Sequence, residues 1–213
     1  MSQTALTDKQ IEENKLKFLK LVSEIDVEGA DMEGLVAYLE EKGFFEAPAS
    51  TQFHSCFKGG LCFHSLNVAE AIQDLADKYF PDKYSRNSLL IVSLFHDISK
   101  ADFYESTIIN KKIYNPKGSK QDNQGKFDWF AETAYKVKDI NTRFVAGTHE
   151  ENSLLLISQF IPLNLEESIA IMNHHGTASP NMPSDLTGIM NRYSLLTLLH
   201  LADMIATYVS EIK

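Results

Sequence analysis

The sequence predicts an all-α protein, a bundle of amphipathic helices interrupted by one β-prone insertion. Three observations carry this. Apolar residues recur at helical spacing over most of the 213 residues. Capping boxes, a Thr or Asn followed three residues later by Gln or Glu, open three of the segments. Between residues 105 and 139 the helical period is lost, and two β-prone arms flank a tip rich in Pro, Gly and Asn.

The elements follow in order. Thr7 and Gln10 open the first helix, "TDKQIEENKLKFLKLVSEI", with Ile11, Leu16, Phe18, Leu19 and Val22 at helical intervals. Asp31 caps the second, "ADMEGLVAYLEEKG", and Gly43 stops it. Residues 1–50 therefore read as two helices that either pack on the core or offer a homodimer surface, and residues 51–213 as the main domain. After the loop "FFEAPASTQFHSCFKGG" comes "LCFHSLNVAEAIQDLADKYF", with Val68, Ile72 and Leu75 on one face. "SLLIVSLFHDISK" is apolar nearly all round, as a central helix should be. Beyond the insertion, "THEENSLLLISQFI" opens on Thr148 and Glu151. "NLEESIAIMNHHG" opens on Asn164 and Glu167 and ends at Gly176. A loop, "TASPNMPSDLTG", leads to the last helix, "YSLLTLLHLADMIATYVSEI". No internal repeat is present.

Apolar residues make up 44% and charged residues 23% of the chain, enough to bury a real core. No apolar run is long enough to span a bilayer, and the N-terminus lacks the basic and apolar regions of a secretory signal. A cytoplasmic setting is expected, with Cys56 and Cys62 as reduced, small, packed thiols. The net charge of −9 disfavours long nucleic acid as the main partner, because phosphate backbones are held by Lys and Arg. A small phosphorylated substrate remains compatible with it.

Seven histidines are present, none of them in the first two helices. Asp97 closes an apolar helix, and a buried carboxylate demands a compensating cation. His64 precedes Val68, Ile72 and Leu75 at helical spacing, so it points with the buried face. Leu196, Leu199, Asp203 and Ala206 share one stripe, so Asp203 faces inward too. With His96 beside Asp97, two histidines and two aspartates converge from three helices. Such a set suits a divalent ion, manganese, iron, cobalt or nickel in preference to magnesium or zinc. Each residue alone has a plainer reading. A lone buried His is usually a hydrogen-bonded core residue. Asp203 could pair with His200. His149 sits in an exposed first turn, His174 and His175 suit the dipole at a helix C-terminus, and Lys100 suits solvent.

Taken together, "GGLCFHS", "FHDISK" and the late "HLAD" resemble the HD-domain superfamily of metal-dependent phosphohydrolases, named for an adjacent His and Asp. The resemblance spans roughly residues 51–209. It implies an all-α HD-domain bundle, to which the β-hairpin or loop read at residues 105–139 is an insertion. It implies His64, His96, Asp97 and Asp203 as primary metal ligands, and Lys100 as a catalytic residue on a phosphate. "GTHEEN" and "NHHG" are similar to the extra histidines of two-metal members. By that likeness Asp97 bridges two ions, and His149, His174 and His175 hold the second. His54, Lys58 and His200 are expected to support the ligands or touch substrate.

The implied activity is hydrolysis of a phosphoester or phosphoanhydride in a nucleotide-type substrate by metal-activated water. "ASTQFHSCFKGGLCFHS" and "NHHG" also resemble the HD domain of bacterial 3′–5′ exoribonucleases. The first fifty residues read as helices rather than the OB-fold those enzymes carry, which makes exonuclease action on short oligonucleotides the second reading. A non-catalytic nucleotide- or metal-binding regulator is the third. The Gly-Tyr-Pro signature of the cyclic-dinucleotide branch is absent.

Overall fold

A computed structural model describes residues 5–51, 54–176 and 183–211 of the chain. Eight α-helices are present among them, with one three-stranded sheet. Thr7 and Gln10 form the expected capping box at the start of α1 (Asp8–Val22), and Asp31 caps α2 (Met32–Glu41) through the Gly34 N–H. Both helices are sewn to the core. Phe18 is fully buried, its ring centroid 4.9 Å from Phe44 and 5.9 Å from Phe95. Leu35 and Leu39 of α2 are likewise inaccessible.

The longest helix, α3 (Gly60–Tyr79), packs on α1, on α4 (Arg86–Phe95) and on α8 (Ser194–Ile205). Its start depends on a glycine. A Cβ on Gly60 would lie 2.0 Å from the Ser55 carbonyl oxygen, so only Gly lets the preceding loop close onto the helix. Helix α4 is buried along its apolar run, as expected of a central helix. It ends earlier than the periodicity suggests. His96 is its C-cap, Asp97 leaves helical geometry at φ −111°, ψ 16°, and Ile98–Asp102 forms a 3₁₀ turn.

The insertion is a β arm. Strands β1 (Tyr104–Tyr114) and β3 (Gly125–Val137) pair antiparallel from Tyr104↔Val137 to Tyr114↔Phe127, and the short β2 (Lys120–Asp122) adds to β3 at the tip. Capping boxes at Thr148/Glu151 and Asn164/Glu167 start α5 (His149–Ile157) and α6 (Leu165–Met172). The stretch expected as a loop before the last helix contains a short helix, α7 (Leu186–Arg192); residues 177–182 of that stretch lie outside the described residues. The chain leaves α8 through a π-helical turn, Ala206–Ser210, to Glu211. Cys56 and Cys62 are free thiols, half-buried and buried. No helix among the described residues is long and apolar enough to cross a membrane.

Candidate metal centre

Asp97 and its neighbour His96 both turn inward because the helix stops between them. Consecutive helical side chains diverge by about 100°; the break at Asp97 brings the two to one place. Asp97 is 1% exposed, and His64, His96 and His174 are fully buried. They come from separate elements: His64 from α3, His96 from the end of α4, His174 from just beyond α6, and Asp203 from α8. His149, the first residue of α5, completes the ring of groups.

The two oxygens of Asp97 face different partners. Oδ2 lies 3.5 Å from His96 Nε2 and 3.7 Å from His64 Nε2. His64 Nε2 is in turn 3.2 Å from His96 Nε2 and 3.2 Å from Asp203 Oδ1. On the other side, Oδ1 lies 3.6 Å from His149 Nε2 and 3.6 Å from His174 Nε2. Ligand atoms about 2.1 Å from one ion sit roughly 3.0–3.4 Å from one another in tetrahedral or octahedral geometry. Both groups are near that spacing. Asp97 Oδ1, His149 Nε2 and His174 Nε2 are buried with no hydrogen-bond partner. Three such atoms converging on one point are costly unless a ligand answers them.

The imidazoles are held in place by hydrogen bonds at Nδ1. His96 Nδ1 donates to the Ser93 carbonyl at 2.9 Å, and His174 Nδ1 to the Ile171 carbonyl at 2.8 Å. A carbonyl only accepts, so Nδ1 carries the proton and Nε2 presents its lone pair inward. His64 Nδ1 meets the Glu211 carboxylate at 2.5 Å, and the other Glu211 oxygen accepts from Ser55 Oγ. Glu150, 1% exposed, lies 3.0 Å from His175 Nδ1 and 3.1 Å from His149 Nδ1. Carboxylates behind histidines are the usual supports of metal ligands.

Burial pushes His96 and His149 down to about 3, so both are neutral imidazoles. Burial also opposes charge on His64, but its hydrogen bonds to Asp203 and Glu211 outweigh that and push it up to about 10. The Asp97 carboxyl is held well below the usual range: burial works against ionisation, and the Lys100 ammonium overrides it. Lys100 Nζ sits 2.6 Å from Asp97 Oδ2 and is itself buried. Lys100 is thus a direct counter-charge to Asp97, a contact that the sequence reading did not anticipate.

The remaining expected residues separate. His175 joins His149 and His174 as a group whose ligand atoms lie within 4.8 Å of one another. His54 lies beside His64, ring centroids 4.9 Å apart, with burial pushing it down to about 4. His200 does not pair with Asp203; its Nδ1 donates to the His174 carbonyl at 2.7 Å and braces that loop. Gly176 makes this possible, since it holds φ +54° and a Cβ there would meet the His200 ring at 2.9 Å. Lys58 is exposed and paired with Asp8 at 3.5 Å and Glu46 at 3.2 Å, so it belongs to the surface near α1 and not to the cluster.

Glu150 and Glu211 are the residues the sequence reading missed. Glu150 sits in the first turn of α5, where an acid is favoured by the helix dipole and attracts no notice. Glu211 had one available signal: it follows Asp203 by about two turns along the inward stripe. The chain matches no family model, no curated protein and no solved structure.

Proposed function

We propose that this chain is a metal-dependent phosphohydrolase of the HD-domain type, acting on a phosphoester or phosphoanhydride of a nucleotide-type substrate. The observation that carries this reading is the division of Asp97: one oxygen faces His64 and His96, His64 in turn facing Asp203, and the other faces His149 and His174. A carboxylate placed so could be shared by two ions. His64, His96, Asp97 and Asp203 would hold one, and Asp97, His149 and His174, with His175 beside them, the other. Imidazole and carboxylate together favour manganese, iron, cobalt or nickel. When bound, divalent ions of this kind supply a water ionised near neutral pH and offset charge on a phosphate.

The chain's own groups do the rest. Glu211 and Glu150 keep the imidazoles aimed inward. Lys100 holds Asp97 ionised and brings an ammonium to the edge of the cluster, where it can take a share of the negative charge on phosphate oxygens. Burial of the cluster strengthens each of these interactions. The two free thiols suit a reducing cytoplasm.

The reading is tested by hydrolysis of bis(p-nitrophenyl) phosphate and a nucleotide panel, with manganese and with chelator. Manganese-dependent turnover that Asp97→Ala abolishes is expected. Metal binding without turnover on any substrate would turn the reading toward a regulator.

A further inference from the structure

The β arm exposes apolar side chains on both faces. Residues directly opposite on β1 and β3 share a face, so Ile108, Lys112 and Trp129 lie on one and Ile109, Ile113 and Phe130 on the other. Ile108 is 74% exposed, and the isoleucines at 109 and 113, Trp129 and Phe130 are exposed with it. A ribbon of two long strands with neither face covered is marginal in water. Its strand order is β1-β3-β2, and β2 covers β3 only at Gly125–Phe127, so long edges stay open along β1 and along the rest of β3; that of β1 spans all of its 11 residues. The register there runs unbroken for 11 residues, without a bulge and without proline. Among the described residues, no backbone hydrogen bond from outside the sheet reaches Glu105–Lys112. A free edge of this length is a template for another strand.

We propose that β1 pairs antiparallel with β1 of a second copy of this chain, across a two-fold axis at Ile108. The strand is self-complementary about that residue. An axis normal to the sheet keeps each face on its own side, so opposite residues must match by face. With the axis at Ile108, Glu105 lies opposite Lys111 of the second copy, Tyr104 opposite Lys112, Thr107 opposite Ile109, and Ile108 opposite itself. Within one copy Lys136 already pairs with Glu105 at 3.0 Å and Lys111 with Glu132 at 3.6 Å. Pairing the edges joins these into one row of alternating charge, Lys136, Glu105, Lys111, Glu132, across both copies. Moving the axis by one residue sets Glu105 against an isoleucine, Ile113 or Ile109, and the row is lost.

Charge also argues against nucleic acid as the occupant. Lys111, Lys112, Lys136 and Lys138 are each neutralised by a carboxylate of their own chain, Glu132, Asp122, Glu105 and Asp102. The inference stands independently of the phosphohydrolase reading.

Sedimentation of the full chain at tens of micromolar tests it, with far-UV circular dichroism confirming that each variant folds. Wild type should sediment at twice the chain mass of 24.0 kDa. Glu105→Lys and Lys111→Glu should each weaken self-association by about tenfold or more, since like charges directly opposite destabilise a ladder. An equimolar mixture of the two variants should restore it, because opposite charges face each other again in the mixed pair. Ile108→Lys, which sets like charges on the axis, should give a monomer. A wild-type monomer at about 100 µM would overturn the proposal, and so would a dimer indifferent to both charge variants. A monomer that retains a labelled single-stranded oligonucleotide, and loses it on Trp129→Ala, would overturn it in favour of nucleic acid.

Discussion

Asp97 is the residue on which the centre turns, and its neighbours show what each contributes. Replacing it by Ala removes the carboxylate whose two oxygens face the two sets of imidazoles. Metal content should fall to background by elemental analysis, and turnover by more than roughly a hundredfold. Glu150→Gln separates the two sets. The amide cannot carry the negative charge that Glu150 places behind His149 and His175, so affinity for the second ion should fall about 10–100-fold while the first is retained. Titration of the variant with manganese, followed by calorimetry, reads this directly. The inward aspect of His64 and Asp203 was legible from periodicity, because each sits on an apolar stripe. Lys100 was legible as important but not in its contact, since sequence does not tell a lysine folded back on Asp97 from one extended to a ligand. Glu150 and Glu211 look like ordinary helix-end acids until the chain is folded.

At the level of elements, the local signals that survived are those with a mechanism confined to a few residues. The capping boxes at Thr7, Thr148 and Asn164 all form. The short helix α7 was hidden because Pro183 and Gly188 mark its segment as loop, although Asp185 accepts from the Gly188 N–H at 3.1 Å and Leu186 is buried. The end of α4 was hidden too, since the break at Asp97 is set by long-range contacts with α5 and not by a helix stop. The cap of α5 stands directly before His149. Thr148→Ala should therefore cost about 1 kcal/mol of stability and also lower affinity for the second ion, read by thermal melts and metal titration.

The arm offers a separate test at this scale. The Ser119 hydroxyl and backbone N–H, with Asn115, hold Asp128 down to about 2. Because the folded value lies below the ordinary 3.8, this anchor stabilises the tip above that value and is lost as pH falls toward 2. Trp129, the single tryptophan, should change its emission across that window, and Asp128→Asn should remove the step.

For the molecule as a whole, the candidate ligands come from most of the chain's length, so on the proposed reading metal binding and folding are linked. Residues from α3 to α8 meet at Asp97, and an ion bound there belongs to the folded state alone. Manganese at about a hundred times its dissociation constant should add about 2.7 kcal/mol of stability, a rise in Tm of roughly 5–10 °C for a chain of this size. Asp97→Ala should abolish that rise. The largely helical architecture was readable from period and caps, and so was the position of the insertion. The reach of the insertion as a long exposed arm was not, because alternation within a strand does not say whether a core lies beneath it.

On the proposed reading one carboxylate, Asp97, serves two ions. The measurement that tests it most directly is the metal-to-protein ratio of chain purified without chelator and saturated with manganese, set beside that of His149→Ala. The account predicts about two ions per chain, falling to about one in the variant. A ratio of one or none in the unaltered chain, or one that His149→Ala leaves unchanged, would contradict it.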